Sequence, residues 1–132
     1  MYVVNSFGAG GAERHLLALA GHMVRVGNSV LVVALTGTVL GGAKNIADDF
    51  VTAGAQIATL DRAGVGWLRD AGRWFGLCKL ARAWVPDILH SHLPRADFAA
   101  SFVKRMMPDT PWISTAHDSY IKGVYSGYWV FP

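Results

Sequence analysis

Three clusters in this chain hold residue types that bind anions or move protons. The first is Gly8-Ala-Gly10-Gly11-Ala-Glu13-Arg14. A glycine-rich turn running into a helix lets backbone approach a ligand, and the free N–H groups of the first helical turn point at it, which suits a phosphate-bearing group. The second is His90-Ser91-His92, with Arg95 and Asp97 just beyond. The third is His117 with Asp118. An imidazole at the edge of a binding cleft can donate, accept or transfer a proton near neutral pH.

These clusters matter together only if the fold brings them together, and the hydropathy pattern says that it does. Tyr2 to Val4 is a short apolar strand. Ala12 to Val26 reads as a helix with Leu16, Leu19, Ala20 and Met23 on one face, left through Gly27 and Asn28. Val30 to Leu35 is a continuous apolar run, as in a parallel strand covered on both faces. A glycine-punctuated loop, Thr36 to Ala43, precedes a weak helix over Lys44 to Ala53 and a short strand over Gln56 to Leu60. Trp67 to Val85 is a strong helix stopped by Pro86, with a stripe of Trp67, Ala71, Trp74, Cys78, Ala81 and Val85 widened by Leu68 and Phe75. Ile88 to His90, extending towards His92, is a strand; Ala96 to Met107 is a helix; Trp112 to Ala116 is a strand.

Strand and helix alternate throughout, which predicts an α/β fold: a Rossmann-like parallel sheet with helices on both faces. Ligands of such sheets bind at the carboxyl ends of the strands. All three clusters fall at those ends. The chain is one domain, 52% apolar and 16% charged, hence a packed globular chain. After Asp118 no further strand and helix is evident, and Tyr128 to Pro132 is conspicuously apolar. The expectation is a domain over residues 1–132 that is incomplete at its C-terminal end and short of a few residues before Met1.

Several classes of function are disfavoured. A net charge of +3, scattered along the chain, does not make a nucleic-acid surface. Cys78 is the single cysteine, so no disulfide framework or cysteine-based metal site exists, which fits a reducing, cytoplasmic setting. Residues 1–10 lack the basic start of a signal peptide. The uncharged run from Val26 to Ala43 has the length of a short membrane span but holds Asn28, Ser29 and four glycines, and reads as strand plus loop. The dinucleotide fingerprint needs glycine where Glu13 stands and an acid after the second strand, which ends Ala34-Leu35-Thr36-Gly37. Serines 91, 114 and 119 have no nucleophile-elbow sequence.

The remaining polar residues have plainer roles. Glu13 either complements the dipole of the first helix, as Asp97 does for the helix after His92, or shapes the ligand-binding loop before it. Arg14 and His15 read as helix-surface residues. His90 and His92 point to the same side of a strand, but no third ligand completes a metal site. The expectation is His90 buried in the sheet and His92 at the cleft rim, with Arg95 facing an anion. The helix from Trp67 to Val85 carries Arg69, Arg73, Lys79 and Arg82 against Asp70 alone. Aromatic and basic residues in that mixture suit a lipid headgroup region, whereas the place of the helix between two strands requires it to pack on the sheet.

Gly10-Gly-Ala-Glu-Arg14 before an apolar helix, Gly27-Asn28-Ser-Val30 into a strand, Pro86-Asp-Ile-Leu-His-Ser-His92 with Arg95-Ala96, and Thr110-Pro-Trp-Ile-Ser-Thr-Ala-His117-Asp118 resemble, in that order, the N-terminal domain of family 4 glycosyltransferases. The resemblance covers residues 1 to about 120. Many members have histidine where Asn28 stands. The family implies a GT-B architecture: two Rossmann-like domains across a cleft, the first holding mainly the acceptor, the second most of the nucleotide-sugar donor. It implies transfer with retained configuration, no cofactor and no bound metal. It implies that Gly10 and Gly11 approach the donor diphosphate or the acceptor through backbone N–H groups, that His117 is catalytic beside the transferring sugar with Asp118 next to it, and that His92 and Arg95 line the acceptor side.

The expected function is therefore transfer of a sugar from a nucleotide sugar to a glycan or lipid-linked acceptor, as in cell-envelope polysaccharide synthesis. The donor-binding domain would lie outside this chain, leaving it inactive alone. Peripheral contact with the inner face of the membrane follows if the acceptor is lipid-linked. The alternative is a non-catalytic Rossmann-like module that binds a partner or a membrane surface.

Overall fold

The computed structural model describes residues 1–39, 43–61 and 65–117. Five strands and four helices alternate: β1 (Tyr2–Val4), α1 (Gly11–Arg25), β2 (Leu31–Ala34), α2 (Ala47–Thr52), β3 (Gln56–Thr59), α3 (Gly66–Trp84), β4 (Leu89–His92), α4 (Pro94–Met106) and β5 (Trp112–Thr115). The strands form one parallel sheet in the order β3-β2-β1-β4-β5. This is the Rossmann-like α/β fold expected. The expected tail beyond Ser119, and Asp118 itself, lie outside the described residues.

Strand alternation divides the core. Met1, Val3, Leu31, Val33 and Leu35 face α3 and α4, meeting Leu77, Ala81, Ala99, Ala100 and Val103. Tyr2, Val4, Val30, Val32 and Ala34 face the other way, onto Leu16 and Ala20 of α1 and Phe50 of α2. The apolar run from Val30 to Leu35 is continuous because both of its faces are covered.

A buried polar chain fastens the β4 side. The Trp112 indole N–H donates to Ser91 Oγ at 2.8 Å, and the Ser91 hydroxyl donates to Asp97 Oδ1 at 2.6 Å. Asp97, in the first turn of α4, thus does more than complement a dipole: it ties its helix to β4 and, through Ser91, to β5.

The structure shortens α2 relative to the expected Lys44 to Ala53. Asn45 bridges Gly8, Ile46 N–H donates to Phe7 O at 2.9 Å, and Asn45 Oδ1 accepts the Ala47 N–H at 2.8 Å. The residues before Ala47 are thereby spent on anchoring the glycine loop.

Helix α3 departs further. Leu77, Cys78 and Ala81 are buried, and Trp74 packs edge-on to Phe98 and stacks on Phe102 at 5.0 Å. Trp67 (74% exposed), Leu68, Phe75 (70%) and Val85 (67%) are not part of the buried stripe. At 100° per residue, Phe75 and Leu68 project opposite Leu77, beside Lys79 and Arg82. Trp67 lies in the first turn, beyond Leu35 at the strand end. Val85 is the cap, not a stripe residue.

The two long-helix exits differ instructively. After α1, Gly27 takes φ +92°, and the N–H groups of Gly27 and Asn28 bond to Val24 O and Met23 O, closing the helix with a glycine in the left-handed region. After α3, Val85 takes φ 52° in that same region. A β-branched residue is strained there. Because Val85 is exposed, Val85→Gly is expected to stabilise the chain by about 0.5–1 kcal/mol. A lower urea midpoint than wild type would contradict this.

Candidate functional site

Between β1 and β4 the winding reverses, so α1 and α2 lie on one face and α3 and α4 on the other. Open α/β sheets bind ligands at the carboxyl edge of such a point. Here that edge gathers the glycine loop, the end of β4 and the end of β5.

The loop from Asn5 to Gly10 is anchored by Phe7, fully buried and tilted against Phe50 at 5.5 Å. Gly10 caps α1 in extended conformation and Gly11 opens it. A Cβ on Gly10 would stand 2.5 Å from Glu13 Oε2, so the missing side chain leaves room for the Glu13 carboxylate over the helix start. Gly11 is open, with nothing within 4 Å of the place a Cβ would take. Arg14 bends back to donate from Nε to Ala9 O at 3.1 Å. Asn5 Oδ1, at the end of β1, is a buried acceptor without a partner among the described residues.

Four histidines converge beside this loop. His92 Nδ1 lies 2.9 Å from His117 Nε2, and the two rings stack at 5.2 Å. His90 stacks on His92 at 4.3 Å and its Nε2 is 2.7 Å from Thr115 Oγ1. His15 meets His117 edge-on at 5.5 Å. His15 stands one helical turn beyond Gly11, on the same face, so Gly11, His15 and His117 border one space. Tyr2 closes the cluster from β1.

The expected roles of His90 and His92 are reversed. His92 is completely buried, whereas His90 is half-buried. Tyr2 and the rings of His90, His15 and His117 surround His92, so it cannot line an acceptor surface directly. His15, expected on the helix surface, is exposed but belongs to the cluster. Leu93, between His92 and Pro94, holds φ 78° and ψ 152°, a strained conformation for a side-chain-bearing residue. It turns the chain from β4 into α4 immediately after His92.

Arg95 is placed elsewhere. Its guanidinium donates to Asp70 Oδ1 at 3.1 Å, on the α3–α4 face, and Asp70 also pairs with Arg73 at 3.0 Å. These residues line a pocket of about 210 Å³ with Leu35, Trp74 and Phe98. Arg95 therefore faces a carboxylate of its own chain, apart from the histidine contacts. Asp61, overlooked as a candidate, accepts the Gly37 N–H at 3.0 Å and the Thr36 hydroxyl at 3.2 Å, clamping the ends of β3 and β2 together. Asp118 lies outside the described residues. Among the described residues no group of three or more His, Cys, Asp or Glu is arranged to hold a metal ion.

With this geometry in place, the comparisons with known proteins are consistent. The model of Glycosyltransferase Family 4 matches residues 9–131. The chain belongs to that family. Its fold is similar to that of a glycosyltransferase from Rickettsia africae ESF-5, with a TM-score of 0.63 at 10% sequence identity. The match covers 86% of this chain and 28% of that protein. Among curated proteins none matches the chain.

Burial, followed by the charges of His90, His117 and His15, pushes His92 down from 6.5 to about 3. Burial is also the main cause lowering His90. Both rings gain protons on unfolding, so the unfolded chain binds more of them as pH falls below 6.5. Stability contributed by keeping them neutral is intact above that pH and falls away towards pH 3, where His92 itself titrates. For one ring the slope approaches about 1.4 kcal/mol per pH unit. The urea midpoint is expected to drop between about pH 7 and about pH 4, and less steeply in His92→Phe. Parallel pH profiles for the two proteins would contradict this origin.

Proposed function

We propose that this chain is the acceptor-side domain of a retaining glycosyltransferase. The protein that carries it would move a sugar from a nucleotide-sugar donor to a glycan or lipid-linked acceptor. A second domain of the GT-B pair would hold most of the donor. The observation that supports this best is the meeting of Gly11, His15 and His117 at the sheet's reversal point in a family 4 chain.

The chemistry fits those residues. Departure of a nucleoside diphosphate places negative charge on phosphate oxygens. The N–H groups at the start of α1 are oriented to meet such charge without reorganising. His117 then sits by the transferring sugar, hydrogen-bonding an oxygen. Glu13 packs against Gly10 and holds the loop's shape. His92 contributes through His117, and Arg95, paired with Asp70 beside the pocket between α3 and α4, would line the acceptor side.

Gly11→Val and His117→Ala separate this site from a merely structural edge. A side chain at Gly11 meets no neighbour, so the fold should tolerate it while ligand approach is blocked. In the transferase carrying this domain, each variant is expected to lower kcat/KM about 100-fold or more, Gly11→Val with an unchanged unfolding midpoint. Unaltered kinetics in both would remove the assignment.

One observation favours a second, compatible reading, contact with an anionic membrane surface. Leu68 and Phe75 are exposed on the side of α3 that carries Lys79 and Arg82, and Trp67 is exposed in its first turn. Among the described residues no helix is long and apolar enough to cross a membrane. A face of this kind can rest in the headgroup region instead. Sedimentation with phosphatidylglycerol vesicles should be lost in Lys79→Glu/Arg82→Glu and weakened by salt. Arg73 is unsuitable for reversal because it is buried and paired with Asp70. Equal sedimentation of both proteins, or none by wild type, would end this reading.

A further inference from the structure

The bond between His92 and His117 has a direction, and the burial of His92 selects it. With 2.9 Å between His92 Nδ1 and His117 Nε2, one nitrogen carries the proton and the other accepts it. The other nitrogen of His92, Nε2, is buried with no hydrogen-bond partner among the described residues. If His117 donated, a neutral His92 would carry its own proton on Nε2 and strand an N–H. If His92 donates from Nδ1, Nε2 keeps a bare lone pair. Among buried backbone groups, a stranded N–H is the rarer arrangement, and the same preference applies to this ring.

We infer that His92 donates Nδ1–H to His117 and thereby fixes His117 as the tautomer protonated on Nδ1. The ring nitrogen of His117 not engaged by His92 is then a hydrogen-bond donor. Burial supports this by keeping His92 neutral down to about pH 3, so the doubly protonated ring that donates from both nitrogens does not form near neutrality. His92 is a positioning residue: it acts on the cleft through the proton arrangement of its neighbour. Joined to the proposed transferase function, on which this consequence rests, the assignment gives His117 a definite chemistry. Its free nitrogen donates to a sugar hydroxyl or phosphate oxygen and does not serve as a base.

Tautomers are read directly from long-range proton–nitrogen correlation spectra of the chain with labelled histidine. At neutral pH, His117 should show a protonated Nδ1 and a bare Nε2. An unconstrained histidine side chain prefers the opposite tautomer, so this pattern would not arise by default. His92→Phe removes the donor and should shift His117 to the Nε2-protonated form. His92→Asn offers an amide N–H near the position of Nδ1 and should retain the wild-type pattern. A proton on Nε2 of His117 in wild type would overturn the inference, even if neither variant folds. An unchanged His117 tautomer in folded His92→Phe would also overturn it. No substrate enters this measurement, so its failure leaves the transferase reading standing. Loss of that reading through the Gly11 and His117 variants leaves the tautomer result standing.

Discussion

β1 pairs with β2 on one side and β4 on the other, and this double pairing is the constraint from which the site follows. A strand so placed is buried on both faces, so its neighbours must supply apolar cover from two directions. Right-handed crossovers supply it by sending α1 and α2 to one face and α3 and α4 to the other. The connections after β1 and β4 therefore part company at the carboxyl edge. The space left between them is bounded by the start of α1, the end of β4 and the end of β5. Residues separated by about a hundred positions, His15 and His117 among them, meet there because backbone pairing leaves them nowhere else to go.

Polar burial beneath that edge is the cost of holding it rigid. Ser91 and His92 occupy adjacent strand positions and point to opposite faces. Ser91 is fully satisfied between Trp112 and Asp97, and it locks α4 and β5 to β4. His92 is only half satisfied, with one nitrogen bonded and the other bare. A core built for stability alone would place an apolar side chain there, since an unpartnered buried polar atom costs about 1–3 kcal/mol. The strain at Leu93 immediately afterwards adds to this. Neighbouring costs of this kind gather next to His117, with a well-satisfied network on the other face to bear them.

The fold was legible because its determinants are local and periodic. The run Val30 to Leu35 announces a doubly covered strand, and Gly27-Asn28 announces a helix exit that the structure closes with two hydrogen bonds. The site was legible only as far as strand ends reveal it. Gly10, Gly11, His92 and His117 were picked out as candidates because each lies at or just beyond the end of a strand. The place of His15 in the histidine cluster was missed because it depends on which face of α1 turns towards His117, beyond the end of β5, and no spacing within α1 encodes that. Its distance of four residues from Gly11 was the available signal. The inversion of His90 and His92 has a similar cause: alternation puts both on one face but says nothing of how deep each lies. The anion that Arg95 faces was not legible because it is Asp70, which comes from another helix. Asp61 escaped because the acid that serves the end of β2 arrives from the end of β3.

Helix α3 shows why a sequence can offer two readings that are not rivals. Tryptophan and arginine in one helix suggest either a packed crossover or a membrane-surface helix, and composition cannot weigh them. Geometry lets both hold. Arg73, Leu77 and Ala81 advance by four residues along one side, and this side meets the sheet and α4. Leu68, Phe75, Lys79 and Arg82 fall within about 60° of one another on the opposite side. Trp74 belongs to the first set through its stacking on Phe102, while Trp67 stands clear because its turn lies past the end of β2. Arg73 also belongs with the packed set, its charge spent on Asp70, so the basic character of the outer face comes from Lys79 and Arg82 and not from the helix as a whole. Any partner of that face would meet a helix already fixed by its inner side, and so would gain contact area without the entropic cost of ordering the helix.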